Sequence, residues 1–188
     1  MEREHGVLVA SDECYAGLTW DGPPRSVLQS GTEGLLAVHS LSKRSNLAGL
    51  RVGFYTGDPE LVSYLSEVRK HAGFMVPGPV QQAGAVALDD DGHAAAQAAR
   101  YRSRLQRLQQ ILADAYDLEV PLPGGGLYLW VPAPDADAWA FAERLAADAG
   151  CLVSPGEFYG PRGAGHVRIA AVQPDDRIEL VARRLRVG

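Results

Sequence analysis

Short apolar runs and longer amphipathic stretches alternate along the chain, and their different periods divide it into elements. Gly6-Val7-Leu8-Val9-Ala10 is continuously apolar and reads as a buried parallel strand; Leu35-Leu36-Ala37-Val38-His39 reads as a second. Asp58 then caps, Pro59 opens, and Leu61, Leu65 and Val68 line one face of a helix predicted to end near Gly73. Phe74 to Pro79 is a Pro/Gly-rich turn. Helical periodicity returns from Val80 to Leu88 and from His93 to Tyr116, with Leu105, Leu108 and Leu112 on one face and Arg100, Arg104 and Arg107 toward solvent. Asp89-Asp90-Asp91-Gly92 interrupts the two stretches and marks a predicted domain boundary, giving 1–91 and 92–188. Beyond it, Gly126 to Val131, Cys151-Leu152-Val153 and His166 to Val172 read as strands. Trp139 to Ala149 reads as an amphipathic helix stopped by Gly150, and Pro174 opens a terminal helix through Leu185. The pattern is α/β at the front and α+β behind.

Composition narrows what such a chain does. A formal charge of −5 over 188 residues provides no basic surface for nucleic acid, so the arginine row on the long helix reads as a solvated face. Cys14 and Cys151 are too few for a disulfide framework and match no metal spacing, and His5, His39, His71, His93 and His166 are scattered. No signal segment or membrane-length apolar run is read, so the expectation is a cytoplasmic enzyme without a metal.

The chain has two lysines, Lys43 and Lys70. Lys43 lies in Ser40-Leu41-Ser42-Lys43, directly after the second strand, and is followed by Gly49-Leu50-Arg51-Val52-Gly53. A lysine amine can become a nucleophile for carbonyls, which a guanidinium cannot. Arg51 suits a phosphate through paired hydrogen bonds, and Ser40 offers a hydroxyl to the same anion. An amine that bonds carbonyls beside a phosphate site points to pyridoxal phosphate. Asp12 and Tyr15 follow the first strand, at the carboxyl end where open α/β sheets carry their chemistry. Asp12 suits the cofactor's pyridine nitrogen, and Tyr15 its phenolate oxygen. Taken singly, each has an ordinary reading: a turn carboxylate, a packing aromatic, a surface loop with one Lys and one Arg.

Together, Asp12-x-x-Tyr15, Ser40-x-Ser42-Lys43 and Gly49-x-Arg51-x-Gly53 resemble the class I/II aminotransferases, the fold-type-I pyridoxal-phosphate enzymes, and the resemblance runs to the end of the chain. It implies the C-terminal part of the pyridoxal-phosphate transferase fold: an incomplete, mainly parallel sheet of the large domain, followed by a small α+β domain. It further implies that Lys43 holds the cofactor through an imine and moves the proton between the substrate α-carbon and the cofactor C4′ carbon. Asp12 would pair with the pyridine nitrogen, Tyr15 with O3′, and Ser40 and Arg51 with the phosphate. His166-Val167-Arg168-Ile169-Ala170 resembles the family strand whose arginine clamps the substrate α-carboxylate, which makes Arg168 the substrate-binding candidate. Gly126 and Tyr128 resemble positions near the substrate, and Phe158 and Tyr159 lid positions. Implied partners are amino-acid and 2-oxo-acid substrates and a second subunit in a homodimer.

Longer stretches, among them Val38-His39-Ser40-Leu41-Ser42-Lys43 and Gly126-Leu127-Tyr128-Leu129-Trp130, resemble actinobacterial succinyldiaminopimelate transaminases, which act in lysine biosynthesis. Relative to the family pattern, roughly the first half of a subunit is absent, so the expectation is an N-terminally truncated chain. The same scaffold also supports carbon–sulfur β-lyases and non-catalytic aminotransferase-like modules.

Overall fold

The computed structural model describes residues 5–188. The chain up to Ala98 forms one compact unit and Ala99–Gly188 another, the division falling inside a long helix.

In the first unit, β1 (Val9–Asp12), β2 (Leu35–Ser40) and β3 (Gly53–Gly57) form a sheet in that order. β1 runs parallel to β2, with Val9 opposite Leu35 and Asp12 opposite Val38, so the carboxyl ends of both strands reach one edge of the sheet. The predicted strand Gly6–Ala10 is displaced toward Asp12. Pairing begins only where β2 offers a partner, and Val7 and Leu8, before that point, are 55% and 63% exposed. β3, unread in the sequence, is antiparallel to β2 with Ser40 opposite Gly53. A Cβ at Gly53 would lie 2.4 Å from the His39 carbonyl oxygen, so the close approach of the two strands requires glycine there.

Four-residue α1 (Leu41–Arg44) follows β2 directly, and α2 (Pro59–His71) follows β3. The Asp58 carboxylate accepts from the Glu60 and Leu61 amides at 2.8 and 3.3 Å, satisfying donors that the first turn leaves unpaired, and Pro59 supplies a preset φ. The same carboxylate accepts from Gly34 N at 2.8 Å, fastening the turn before β2 to the start of α2. The predicted apolar face of α2 is not buried: Leu61 and Leu65 are half-covered and Val68 is 43% exposed. α3 (Gly78–Leu88) and α4 (Asp91–Tyr116) are separated by the expected acidic break, narrowed to the residues around Asp89 and Asp90.

The second unit is a sheet ordered β4-β6-β5, antiparallel throughout, from β4 (Tyr128–Pro132), β5 (Ser154–Pro155) and β6 (His166–Ala170). Alternation along β4 and β6 sends Leu129, Val131, Val167 and Ile169 to a buried face and Tyr128, Trp130, His166 and Arg168 to the other. Leu105, Leu108, Ile111 and Leu112 of α4 are buried, as are Phe141 of α5 (Ala138–Arg144) and Ile178 of α6 (Asp175–Arg184). α5 continues into a wide turn, Leu145–Ala149, closed by left-handed Gly150. The strand predicted at Cys151–Val153 begins three residues later, as β5, and Leu152 is 90% exposed. Two arginines expected in solvent are paired instead. Arg104 Nε donates to Asp175, and Arg107 donates to both carboxylate oxygens of Glu179 at 2.8 and 2.9 Å. α4 and α6 lie close enough for these long side chains to bridge, which the helical periodicity of α4 alone does not reveal.

Candidate functional site

Parallel pairing of β1 and β2 assembles the candidate site in the first unit. Because Asp12 sits opposite Val38, the residues just beyond it face the end of β2, where Ser40 begins α1. Ser40 is extended, and its Oγ accepts from Ser42 N at 3.1 Å as an N-cap, turning the chain so that Lys43 follows within one turn. The tight loop is closed by Leu41, whose carbonyl accepts from Ser45 and Leu47 while its side chain is 1% exposed.

Asp12 accepts from Cys14 N at 3.0 Å. Hydrogen bonds from the Cys14 thiol and amide hold its carboxyl below the ordinary value, so the carboxylate keeps its charge. The Cys14 thiol, donating to Val38 O at 3.9 Å, is pushed up to about 11 by burial and by Asp12, while the Lys43 charge acts in the opposite direction. Asp12, Cys14 and Lys43 therefore share one electrostatic neighbourhood. Tyr15 stands in the turn after β1, 36% exposed, and its carbonyl accepts from Leu18 N at 2.8 Å.

Glu13 supports this edge from behind. It is buried, accepts from Val27 N at 2.7 Å, and lies 3.8 Å from His39 Nε2. Burial works to raise its carboxyl, but bonds from Val27, Ser26 and Ser11 and the charge of His39 outweigh that and leave it lowered.

Arg51 ends a short turn, Ala48–Leu50, in the left-handed conformation (φ 53°, ψ 44°), and its Nη1 donates to Ala48 O at 3.0 Å. That conformation costs a residue with a Cβ roughly 1–2 kcal/mol, a strain more often found at functional positions. Sequence reasoning passed over Arg44, which anchors α1: it donates to Ala87 O at 2.8 Å and pairs with Asp91 at 2.6 Å. Its position next to Lys43 was the only available signal. A groove of about 750 Å³ between β2–β3 and the α2–α3 segment is lined by Phe54, Phe74, Met75 and Leu88. Among the site candidates only Arg51 reaches it.

The residues at the strand ends suit pyridoxal phosphate by donor chemistry. An amine, a carboxylate kept charged, a phenol, a hydroxyl and a guanidinium stand along this stretch of strand ends and loop: the first three match the aldehyde, pyridine nitrogen and phenolic oxygen of that cofactor, and the last two its phosphate.

Arg168 lies in the second unit, on β6 opposite Trp130 of β4 and Ser154 of β5. Its guanidinium carbon sits over the Tyr128 ring at 4.3 Å from the centroid and over the Tyr159 ring at 4.7 Å. The Nε is buried without a hydrogen-bond partner. Phe158, the other residue expected at a lid position, packs edge-on against Trp139 with ring centroids 5.6 Å apart.

Residues 1–185 match the family described as aminotransferase class I and II. A probable aminotransferase of Mycobacterium tuberculosis is 50% identical over 97% of this chain and 44% of its own length. The 4-dedimethylamino-4-oxo-anhydrotetracycline transaminase of Streptomyces rimosus is 47% identical over 97% of this chain and 52% of its own. Among solved structures, an aminotransferase from Neisseria meningitidis superposes with a TM-score of 0.83 at 34% identity, covering 98% of this chain and 50% of that one. The chain thus spans about half the length of the relatives it matches.

Proposed function

The chain belongs to the class I and II aminotransferases, and from that premise we propose that it carries the lysine-bearing part of a pyridoxal-phosphate transaminase. The observation that carries the reading is the shared strand edge, where charged Asp12, the Ser40 cap and Lys43 follow two parallel strands. When bound, pyridoxal phosphate supplies an electron sink that stabilises negative charge at a substrate α-carbon. Lys43 would be the residue that holds the cofactor, and its amine would take up and return the proton of that carbon. Asp12 accepts from the pyridine N–H, its lowered carboxyl favouring the charged pair. Tyr15 donates to the phenolic oxygen, and Arg51 with Ser40 receives the phosphate. Arg168 binds the α-carboxylate, fixing the α-carbon by both carboxylate oxygens.

For the substrate we propose N-succinyl-LL-2,6-diaminopimelate with 2-oxoglutarate as amino acceptor, in lysine biosynthesis, a reading supported by the longer stretches that resemble succinyldiaminopimelate transaminases. A division into domains at Asp91/Gly92, a homodimer and a cytoplasmic location complete the proposal. Among the described residues no helix is long and apolar enough to cross a membrane. The test supplies the purified protein with pyridoxal phosphate, the succinylated diamino acid and 2-oxoglutarate. Glutamate formation that disappears in Lys43→Ala is the expected result. Pyruvate released from a cysteine conjugate would make it a β-lyase, and cofactor absorbance without turnover of either substrate would make it a non-catalytic module.

A further inference from the structure

The geometry points to Tyr128 and Tyr159 as positioning residues that hold the Arg168 guanidinium by stacking and leave its N–H edge free for a carboxylate. The inference rests on the reading of Arg168 as the α-carboxylate clamp.

A partly buried guanidinium needs electrostatic compensation. In this chain the other shielded arginines obtain it from acids: Arg104 from Asp175, Arg107 from Glu179, Arg44 from Asp91. Among the described residues Arg168 makes no such ion pair, and its buried Nε donates to nothing. Two tyrosine rings take the place of the acid, at 4.3 and 4.7 Å from the guanidinium carbon. A ring quadrupole attracts the cation without consuming an N–H donor, whereas a carboxylate partner would occupy the donors that a substrate needs.

The rings are themselves held. Tyr128 lies two residues before Trp130 on β4, so alternation puts it on the same face as Arg168, whose cross-strand partner is Trp130. Tyr159 ends the turn Gly156–Tyr159. A Cβ at Gly156 would lie 2.2 Å from Gly163 O and 2.8 Å from the Trp130 ring, so this turn is pressed against the sheet. Tyr159 meets Trp130 edge-on at 5.9 Å, and Trp130 stacks on His166 at 5.3 Å. Tyr159 remains 51% exposed, so core burial does not explain a ring fixed in this place. Aromatic support of this kind orients a fork whose rotamers are otherwise free.

The test reads the Arg168 Nε–Hε resonance in ¹⁵N-labelled protein, assigned by its loss in Arg168→Lys, together with calorimetric titration of 2-oxoglutarate. Stacking predicts a ring-current shift that sets this resonance apart from the other arginines. Tyr128→Leu and Tyr159→Leu should each return it toward them and weaken 2-oxoglutarate by about three- to tenfold. Tyr128→Phe and Tyr159→Phe, which keep the rings, should recover the shift and affinity to within about twofold. Leucine variants that fold, bind as tightly as the parent and leave the resonance in place overturn the inference. Should a leucine variant fail to fold, the parent protein decides, since an Arg168 resonance inside the envelope of the other arginines overturns it equally. Unchanged binding in Arg168→Lys, or no binding by the parent, sinks the clamp reading and this inference with it. Lost binding in Arg168→Lys with none lost in the folded leucine variants sinks the positioning role alone.

Discussion

The two units hold their structure by different means. Of the buried apolar side chains described, Leu18, Ala37 and Leu41 lie in the first unit and all the others in the second. The second unit is organised by a continuous hydrophobic layer beneath β4 and β6. The first, which carries Asp12 and Lys43, is fastened by polar side chains that bridge distant backbone: Glu13 to Val27, Asp58 to Gly34, Arg44 to Ala87. Hydrophobic burial is nondirectional and makes stability, while hydrogen bonds fix the relative positions of strand ends and turns. A site of several small groups along one sheet edge needs the second kind of fastening more than the first.

Breaking the comparison starts in the second unit. Phe141 is 1% exposed and meets Tyr116 edge-on at 5.3 Å, so Phe141→Ala should cost about 3–5 kcal/mol in denaturant unfolding. A loss below about 1 kcal/mol would mean that the buried layer is not what holds this unit.

In the first unit, Gly53→Ala should cost roughly 1–3 kcal/mol, because the new methyl group collides with the His39 carbonyl, which the β2–β3 ladder holds. Gly49 offers the contrast. A Cβ there meets nothing within 4 Å, so Gly49→Ala should change stability by no more than about 0.5 kcal/mol. Weakened pyridoxal phosphate affinity in a stable Gly49→Ala protein would assign that glycine to ligand access; equal destabilisation by both variants would contradict the packing account.

Glu13 sharpens the comparison through pH. Its folded carboxyl is lowered, so the stability it contributes is present above the unfolded value, about 4.3, and is lost as pH falls through the folded value. Glu13→Gln should therefore flatten the acid limb of the stability profile below about pH 4.3 and lower the plateau above it. Parallel acid limbs in parent and variant would remove Glu13 from its fastening role.

Several of these elements were legible in sequence for physical reasons. Asp58-Pro59 announces its helix because the cap and the preset φ act locally. The strand that ends at Asp12 starts three residues after its apolar run begins, because Gly6, Val7 and Leu8 precede the first residue that β2 pairs. β3 escaped notice because its glycine ends and short alternation resemble a loop, and only the antiparallel partner makes it a strand. At the site, residue types and spacing pointed to Lys43, Asp12 and Arg51. Spacing carries no information on how Arg44 anchors α1 or on the rings that flank Arg168, because those contacts join segments far apart in the chain.

The central claim, that the strand-edge site binds pyridoxal phosphate through Lys43, has a direct measurement. The purified protein is mixed with pyridoxal phosphate, its visible spectrum recorded before and after borohydride, and the reduced product mapped by mass spectrometry. The account predicts a reducible linkage on the peptide bearing Lys43, with Lys70, the chain's other lysine, unlabelled. A folded protein labelled equally on Lys70, or not labelled at all, would contradict it.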